Sequence, residues 1–261
     1  MVVSAPEVVW HDLECGSYSA DLPLWRELAD RAALERHRAR VLDVGAGTGR
    51  VALSLAQAGH RVTALDLDAG LLEALAERAA GASIDTVCAD ARTFELDRDD
   101  FDLCLMPMQT VQLLGGSAKR VSFLERARAH LRPGGLLALA IVTAVEPFDR
   151  ADGDLAPTPE TVRVDGALYV SRPTRVRLLA ESIVIERERL IHRDGEHPTA
   201  ERRHGGELLA QRAVRDVIEL QRLDPAQLEE EAGRAGLYSE PARTLPPTDD
   251  HVGGTVVVLR A

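Results

Sequence analysis

The sequence lacks the features that mark secreted, membrane-spanning or metal-binding proteins. Its longest strongly apolar run, 136–142, is far shorter than the roughly 18 residues of a membrane span. No basic segment precedes an apolar stretch near the N-terminus, so no signal peptide is expected. The three cysteines, Cys15, Cys88 and Cys104, are too few and too far apart to predict a disulfide framework or a metal site. A reducing cytoplasm is the expected location, with no membrane partner.

Lysine is almost absent, and acidic residues outnumber basic ones. Lys119 is the single lysine among 31 basic residues, and this arginine bias with many alanines indicates a GC-rich bacterial genome. The formal net charge is −11, whereas a chain that neutralises many phosphates needs a basic face. Nucleic acid is therefore not an expected partner.

What the sequence does contain is a regular alternation of strands and helices. The 261 residues are 45% hydrophobic, which suffices for a packed core in one large or two small domains. Helices are predicted between successive short apolar strands, the pattern of a doubly wound parallel sheet. The predicted strands are 41–44, 61–65, 84–88, 101–106 and 136–142.

The alternation stops at Glu146. A loop rich in Pro, Asp and Gly is followed by runs that alternate partly between apolar and charged residues, which favours antiparallel strands with one solvated face. These strands are predicted at 161–164, 168–179 and 182–192, and 207–223 is compatible with helix or strand. Asp224 and Pro225 then begin a helix, and two closing strands follow.

A glycine-rich turn joins the first predicted strand to a helix, in the sequence VLDVGAGTGR (41–50). Glycine lets a ligand approach the backbone, and a helix N-terminus offers free N–H groups to an anion. The dinucleotide fingerprint G-x-G-x-x-G requires a small residue where Arg50 stands. Asp66 and Asp90 follow the next two strands, where carboxylates can accept hydrogen bonds from a nucleoside.

With these strand-end features the chain resembles the class I S-adenosylmethionine-dependent methyltransferases of the small-molecule N- and O-type. The resemblance covers about 20–142, and 225–260 is similar to the closing helix and hairpin of that family. It implies an α/β fold with a doubly wound, Rossmann-like sheet of seven mostly parallel strands and an antiparallel β insertion. On this basis 1–261 is a single methyltransferase domain, and 146–223 is an inserted acceptor-side subdomain. The motifs that carry the resemblance are VLDVGAGTGR (41–50), VTALDLD (62–68), CADAR (88–92), FDLCLMPMQTVQLL (101–114) and LRPGGLLALAIV (131–142).

The resemblance implies S-adenosyl-L-methionine as the cofactor and S-adenosyl-L-homocysteine as its product. Asp66 would bind the ribose hydroxyls, and Leu67 would flank the adenine. Asp90 would face the adenine amino group, and Ala91 would donate a backbone N–H. The residues that would line the methionine part are Gly45, Ala46, Gly47 and Gly49, with Asp43 beneath them and Met106 beside them.

Three further candidates each have a plain structural alternative. Tyr18 would close over the cofactor, or would only pack beside a helix. Trp25 would form the floor of an acceptor pocket, or would belong to the core. Gln109, just after the fourth strand, would face the cofactor or the acceptor.

The catalytic candidate lies in the loop 246–254. Because the final strand is predicted antiparallel, its beginning lies at the ligand-binding end of the sheet. His251, beside Asp249 and Asp250, is the candidate general base, since histidine exchanges a proton near neutral pH. The alternative is a solvated loop histidine.

Other polar and sulfur-containing residues are predicted to have structural roles. Cys88 and Cys104 are expected to pack in buried strands. His130, and His192, His197 and His204 of the insertion, are expected to be solvated, with no zinc spacing. The insertion is expected to set acceptor specificity; its arginines would bind an anionic acceptor or, the favoured alternative, pair with nearby glutamates.

The leading function is methyl transfer to an N or O atom of a small-molecule acceptor by direct in-line displacement. A non-catalytic S-adenosylmethionine-binding partner subunit is one alternative. A dinucleotide-dependent oxidoreductase is another, disfavoured by Arg50 and by the lack of a Tyr-x-x-x-Lys pair. A homodimer is left open.

Overall fold

The structure, a computed structural model, describes residues 5–33, 37–79, 81–154, 157–193, 213–248 and 251–261. The helices are α1 Pro6–His11, α2 Leu22–Ala33, α3 Arg50–Gln57, α4 Ala69–Arg78, α5 Thr110–Leu113, α6 Ser117–His130 and α7 Pro225–Arg234. The strands are β1 Arg40–Val44, β2 Arg61–Asp66, β3 Ile84–Cys88, β4 Phe101–Met106, β5 Leu131–Ile141, β6 Phe148–Asp149, β7 Glu160–Val164, β8 Ala167–Leu178, β9 Ser182–Arg193, β10 Val214–Gln221, β11 Tyr238–Leu245 and β12 Gly254–Arg260.

The chain divides into two compact units. The first, called here the Rossmann-like unit, comprises Tyr18–Val145 and Leu220–Ala261. The second, the inserted unit, comprises the described parts of Met1–Ser17 and Glu146–Glu219. No feature of the sequence predicts that the N-terminal segment joins the insertion.

The Rossmann-like unit contains a seven-stranded sheet in the order β11-β12-β5-β4-β1-β2-β3. Strands β1 to β5 are parallel, and β12 pairs antiparallel with both β5 and β11. Every residue of β4 is buried, as expected for a strand whose two faces are covered. The predicted fold class is confirmed. Because β1 lies between β2 and β4, the strand order reverses there, and such a point opens a crevice at the carboxyl ends.

Side-chain caps mark the start of two helices in this unit, one of them the helix predicted to begin at Asp224. The Asp68 side chain accepts hydrogen bonds from the backbone N–H groups of Gly70 and Leu71 and so caps α4. Asp224 and Gln227 form a reciprocal capping box before α7, with Pro225 at the first helical position.

Several local predictions are wrong. Strand β5 already begins at Leu131, five residues before the predicted strand 136–142, and its register against β4 shifts between Phe101 and Leu103. Cys88 is exposed because β3 is an edge strand, whereas Cys104 in β4 is buried as predicted.

His130 is also not solvated as predicted. Its ring stacks on Phe94 with centroids 5.1 Å apart, and its Nδ1 lies 2.6 Å from the carbonyl oxygen of Arg98. Burial of this ring at the end of α6 could not be read from its polar neighbours in the sequence.

The inserted unit is built on a second sheet, in the order β10-β9-β8-β6, with β7 also paired to β8. Strands β6, β7 and β9 all run antiparallel to β8, as predicted for this region. The ambiguous region is strand at 214–221; its residues 207–212 lie outside the described part. Helix α1 continues into a π-helical turn, Asp12–Gly16, and Val9 and Trp10 pack on Ala167 and Tyr169.

Within the described residues, no helix is both long enough and apolar enough to span a membrane. The same residues hold no cluster of three or more His, Cys, Asp or Glu side chains able to bind a metal ion.

Candidate functional site

The glycine turn between β1 and α3 is tightly constrained. Gly45, Gly47 and Gly49 have φ angles of +74°, +54° and +93°, in the left-handed region that favours glycine. A Cβ on Gly45 would stand 2.5 Å from the Thr110 Cγ2 atom, so this residue is also sterically fixed. The backbone N–H groups of Gly45 and Ala46 both donate to the carbonyl oxygen of Leu65, which ties the turn to the end of β2.

Asp66, the last residue of β2, is bonded to this turn through its side chain. Its Oδ2 accepts from the N–H of Gly47 at 2.8 Å, and its Oδ1 accepts from the N–H of Asp68 at 3.0 Å. The carboxylate is half-buried, and each oxygen retains capacity for a second hydrogen bond. The next side chain, Leu67, is 69% exposed, unusual for a leucine and suited to cover an aromatic ring.

Asp43 is a buried carboxylate without hydrogen-bond partners among the described residues. It is 1% exposed, and neither side-chain oxygen is bonded. Burial raises the pKa of Asp43 to about 7; the positive charge of Arg50 and the nearby backbone N–H of Ala52 oppose this shift, and the negative charge of Asp66 adds to it. An orphaned acid directly before a glycine turn indicates a site that a polar or cationic ligand group can complete.

Asp90 is already engaged by a neighbour. Its carboxylate accepts from the Nε of Arg92 at 2.8 Å and from the backbone N–H of Arg92 at 2.9 Å. Hydrogen bonds from Arg92 lower the pKa of Asp90 to about 2. The side chain is partly exposed, so an adenine amino group would share this carboxylate with Arg92. Ala91 beside it is partly buried.

Tyr18 and His251, two candidates from opposite ends of the chain, are in ring contact. Their centroids are 4.4 Å apart with an interplanar angle of 29°. Burial raises the pKa of Tyr18; Asp21 adds to the shift and Arg50 opposes it. The loop of His251 is closed by paired hydrogen bonds, His251 N–H to Thr248 Oγ1 and Thr248 N–H to His251 O. Asp249 and Asp250 lie outside the described residues.

Arg50 is a site residue that sequence reasoning missed, although it was noted as a departure from the dinucleotide pattern. Its guanidinium donates to both oxygens of the buried Asp21 and to the Tyr18 carbonyl oxygen at 2.7 Å. It also lies 5.3 Å from the centroid of the Tyr18 ring. Arg50 therefore fixes the Tyr18 segment against the start of α3. No local signal predicted this, because Asp21 is far away in the sequence.

The remaining candidates differ in burial. Trp25 is fully buried and its Nε1 donates to Asp21 at 2.7 Å, which favours its core role over an acceptor-pocket floor. Met106 is fully buried in the apolar cluster on one face of the sheet. Gln109 is the N-cap residue of α5 and is partly exposed.

Arginines of the inserted unit are largely paired with acids. Arg175 pairs with Asp149, Arg177 with Glu186, and Arg189 with Glu14. This favours the paired arrangement over an open anion site. His192 is exposed, and His197 and His204 lie outside the described residues.

Comparison with known proteins agrees with this geometry. Residues 41–135 match a family described as methyltransferase domain. The chain is 34% identical to the cypemycin N-terminal methyltransferase of a Streptomyces species over 114 residues, 44% of this chain and 46% of that protein. The matched segments cover 46%, 64% and 51% of the lengths of three curated relatives.

Two solved structures resemble the chain over nearly its whole length. One is CalS10 with S-adenosylmethionine bound, an amino pentose methyltransferase from Micromonospora echinaspora; it is 22% identical, with a TM-score of 0.66 over 97% of this chain and 96% of that one. The other is the sugar N-methyltransferase KedS8 from a Streptoalloteichus species, 16% identical, with a TM-score of 0.71 over 99% and 94%.

Residues 41–135 match a methyltransferase domain, the fold is that of the class I methyltransferases, and the predicted resemblance is confirmed.

Proposed function

We propose that the chain transfers a methyl group from S-adenosylmethionine to an N or O atom of a small-molecule acceptor, with nitrogen favoured. The observation that carries this is the strand-end cluster of the glycine turn, Asp43 and Asp66, which lies inside the matched range 41–135. Nitrogen is favoured because the cypemycin enzyme and KedS8 are named as N-terminal and N-methyltransferases. We also propose that residues 1–261 form a single methyltransferase domain, that the chain forms a homodimer, and that it is located in the cytoplasm.

The residues present fit the cofactor. The buried carboxylate of Asp43 would favour a nearby ammonium group of the methionine part electrostatically, and the glycines of the turn present no side chain to it. The free lone pairs of Asp66 suit two ribose hydroxyls, and exposed Leu67 suits an adenine face. When bound, the cofactor supplies a sulfonium methyl group that is already activated for direct displacement.

The protein then needs chiefly to align the acceptor atom and exclude water, an effect worth on the order of 7–11 kcal/mol of barrier. His251 is the residue proposed to take the proton that an amine or hydroxyl acceptor must lose. Stacking on Tyr18 holds the His251 ring in one plane, and Arg50 in turn holds Tyr18. No covalent enzyme intermediate is required.

The test is the methyl-transfer rate of His251→Ala on a panel of small amines and alcohols. As a general base, His251 would contribute roughly 10²–10⁴-fold to the rate under conditions where its imidazole is neutral. His192→Ala, an exposed histidine of the inserted unit, is the matched control. Full activity of His251→Ala between pH 6 and 8 would return this residue to the role of a loop histidine.

A non-catalytic partner subunit is the second candidate, because methyl transfer needs no signature catalytic residue. Calorimetry separates the candidates: binding of S-adenosylhomocysteine without turnover on any acceptor would support the partner role. Preferential binding of NAD would instead favour the oxidoreductase.

A further inference from the structure

The segment that follows β3 is fixed at the carboxyl end of the sheet, beside Asp66. The backbone N–H of Ala89 donates to the carbonyl oxygen of Asp66 at 2.9 Å, which ties the segment to the end of β2. The backbone N–H of Thr93 donates to the carbonyl oxygen of Asp90 at 3.0 Å, which closes a turn. Because β2 and β3 are adjacent and parallel, Asp66 and Asp90 follow neighbouring strand ends. This arrangement suits the linked ribose and base of one nucleoside.

Arg92 uses most of the acceptor capacity of the Asp90 carboxylate. Oδ1 of Asp90 accepts from the backbone N–H of Arg92 at 2.9 Å and from its Nε at 2.8 Å, and Oδ2 accepts from its Nη2 at 2.5 Å. Nε lies closer to Oδ1 than to Oδ2, which is 3.1 Å away, so the guanidinium places one N–H on each oxygen. Since each carboxylate oxygen has two lone pairs, Oδ1 is fully used and Oδ2 can accept one further N–H.

The same contacts keep Asp90 a pure acceptor. Hydrogen bonds from Arg92 are the main cause of the low pKa of Asp90, about 2, and the positive charges of Arg92 and Lys119 add to the effect while burial opposes it. The carboxylate is therefore ionised at neutral pH and has no proton to donate. The exocyclic amino group of adenine can donate to such an oxygen, whereas a carbonyl in its place would face it as a second acceptor.

The orientation of Asp90 depends on its own segment. β3 is an edge strand, so no further strand lies beyond it in the described part of the chain. Asp102, in the interior strand β4, is instead held by Arg132 of β5 and the backbone N–H of Arg40 of β1. The side chains of Arg92 and Asp90 are 36% and 29% exposed, and such a pair contributes little to stability. Its main effect is to orient the carboxylate.

We infer that Arg92 is a positioning residue that fixes the Asp90 carboxylate, so that the site selects an amino group over a carbonyl on the bound purine. The inference rests on the proposed function, because it takes the bound nucleoside to be that of S-adenosylmethionine. Without Arg92 the carboxylate is free to rotate, and a water molecule can bridge it to a carbonyl oxygen. The preference for the amino group should then fall.

The experiment compares two ligands of the full chain by calorimetry: S-adenosylhomocysteine, and S-inosylhomocysteine, in which a carbonyl replaces the adenine amino group. The wild-type chain is expected to favour S-adenosylhomocysteine by roughly ten- to a hundredfold, the scale of one hydrogen bond to a charged group. Arg92→Met removes the side-chain donors and should lower this ratio roughly fivefold or more. Arg92→Lys keeps a charged donor and should give an intermediate ratio.

Arg126→Met is the matched control. Arg126 is an arginine of the same unit that pairs with an exposed acid, Glu95, and its replacement should leave the ratio of the two dissociation constants unchanged. Melting curves report whether each variant is folded, and Arg92→Lys provides the same measurement if Arg92→Met does not fold.

The ratio separates positioning from a merely structural role. If Arg92 only supports the fold, its variants weaken both ligands equally and the ratio stays at the wild-type value, which would overturn the inference. A wild-type ratio near one would overturn it as well. In both cases S-adenosylhomocysteine still binds and the proposed function stands. A wild-type chain that fails to bind S-adenosylhomocysteine would instead contradict the proposed function, and this inference with it.

Discussion

Two buried carboxylates, one in each unit, differ in their hydrogen bonding and in the direction of their pKa shifts. Glu14 of the inserted unit is 9% exposed and is bonded by Ser171 and Arg189. Burial acts to raise the pKa of Glu14, but Arg189, Arg187 and Ser171 outweigh it and hold this pKa below its ordinary value. Asp43 of the Rossmann-like unit is 1% exposed and unbonded, and its pKa is raised to about 7.

This difference in pairing distinguishes buried carboxylates with a structural role from buried carboxylates that a bound ligand would complete. A buried acid that is fully paired belongs to the packing of its unit, and its loss leaves a partner unsatisfied. A buried acid without a partner costs stability, and such a cost is typical of a binding site. Three variants, with Asp102→Asn as a contrast to the second, test this distinction, from the largest expected effect to the smallest.

Asp66→Ala should weaken S-adenosylhomocysteine binding most. It removes two proposed hydrogen bonds to ribose hydroxyls, each worth roughly 1.5–3 kcal/mol with a charged acceptor, and it also releases the Gly47 N–H. Calorimetry measures the dissociation constant. Asp85→Ala, an exposed carboxylate on the adjacent strand β3, is the control and should bind normally. An unchanged constant for folded Asp66→Ala would remove this residue from the cofactor site.

Asp43→Asn should change the pH dependence of stability. The folded-state pKa of Asp43, about 7, lies above its ordinary 3.8. Ionisation of the buried carboxylate therefore destabilises the folded chain, with no cost below about pH 4 and the full cost above about pH 7. At 1.36 kcal/mol per pKa unit, the free energy of unfolding of the variant should rise relative to that of wild type by up to about 4 kcal/mol between pH 4 and pH 8. Denaturant unfolding across this range measures it.

Asp102→Asn is the contrasting variant in the same sheet. Asp102 is equally buried but accepts from Arg132 Nε at 2.6 Å and from the backbone N–H of Arg40 at 2.9 Å. Its replacement should destabilise the chain at pH 8. A difference in the free energy of unfolding between wild type and Asp43→Asn that does not vary with pH would contradict the assignment of Asp43 as an unpaired acid.

Glu14→Ala should destabilise the inserted unit by about 3 kcal/mol, near the lower limit for breaking a buried ion pair. The lower limit applies because Arg189 keeps Asp216 as a second partner at 3.0 Å. Thermal unfolding measures the effect, with Glu7→Ala, an exposed acid on α1, as the control. Because the pKa of Glu14 is lowered, its contribution is present near neutral pH and fades as pH falls below 4.5. Equal melting curves for the two variants would contradict the structural role of Glu14.

The sequence by itself determined the parts of this protein that depend on neighbouring residues. Apolar runs defined the parallel strands, the glycines of 45–49 defined the turn, and Asp224 defined a helix start. These signals are readable because strand burial, left-handed backbone angles and helix capping involve residues only a few positions apart.

Only the tertiary structure decided which distant residues meet. The stack of Tyr18 on His251, the pairing of Arg50 with Asp21, and the network around Glu14 all join segments that are remote in the chain. Whether a carboxylate such as Asp43 is left without a partner also depends on every segment packed around it. Periodicity and composition do not record such contacts, because each depends on the order of strands in the sheet and on the side chains that the topology brings together.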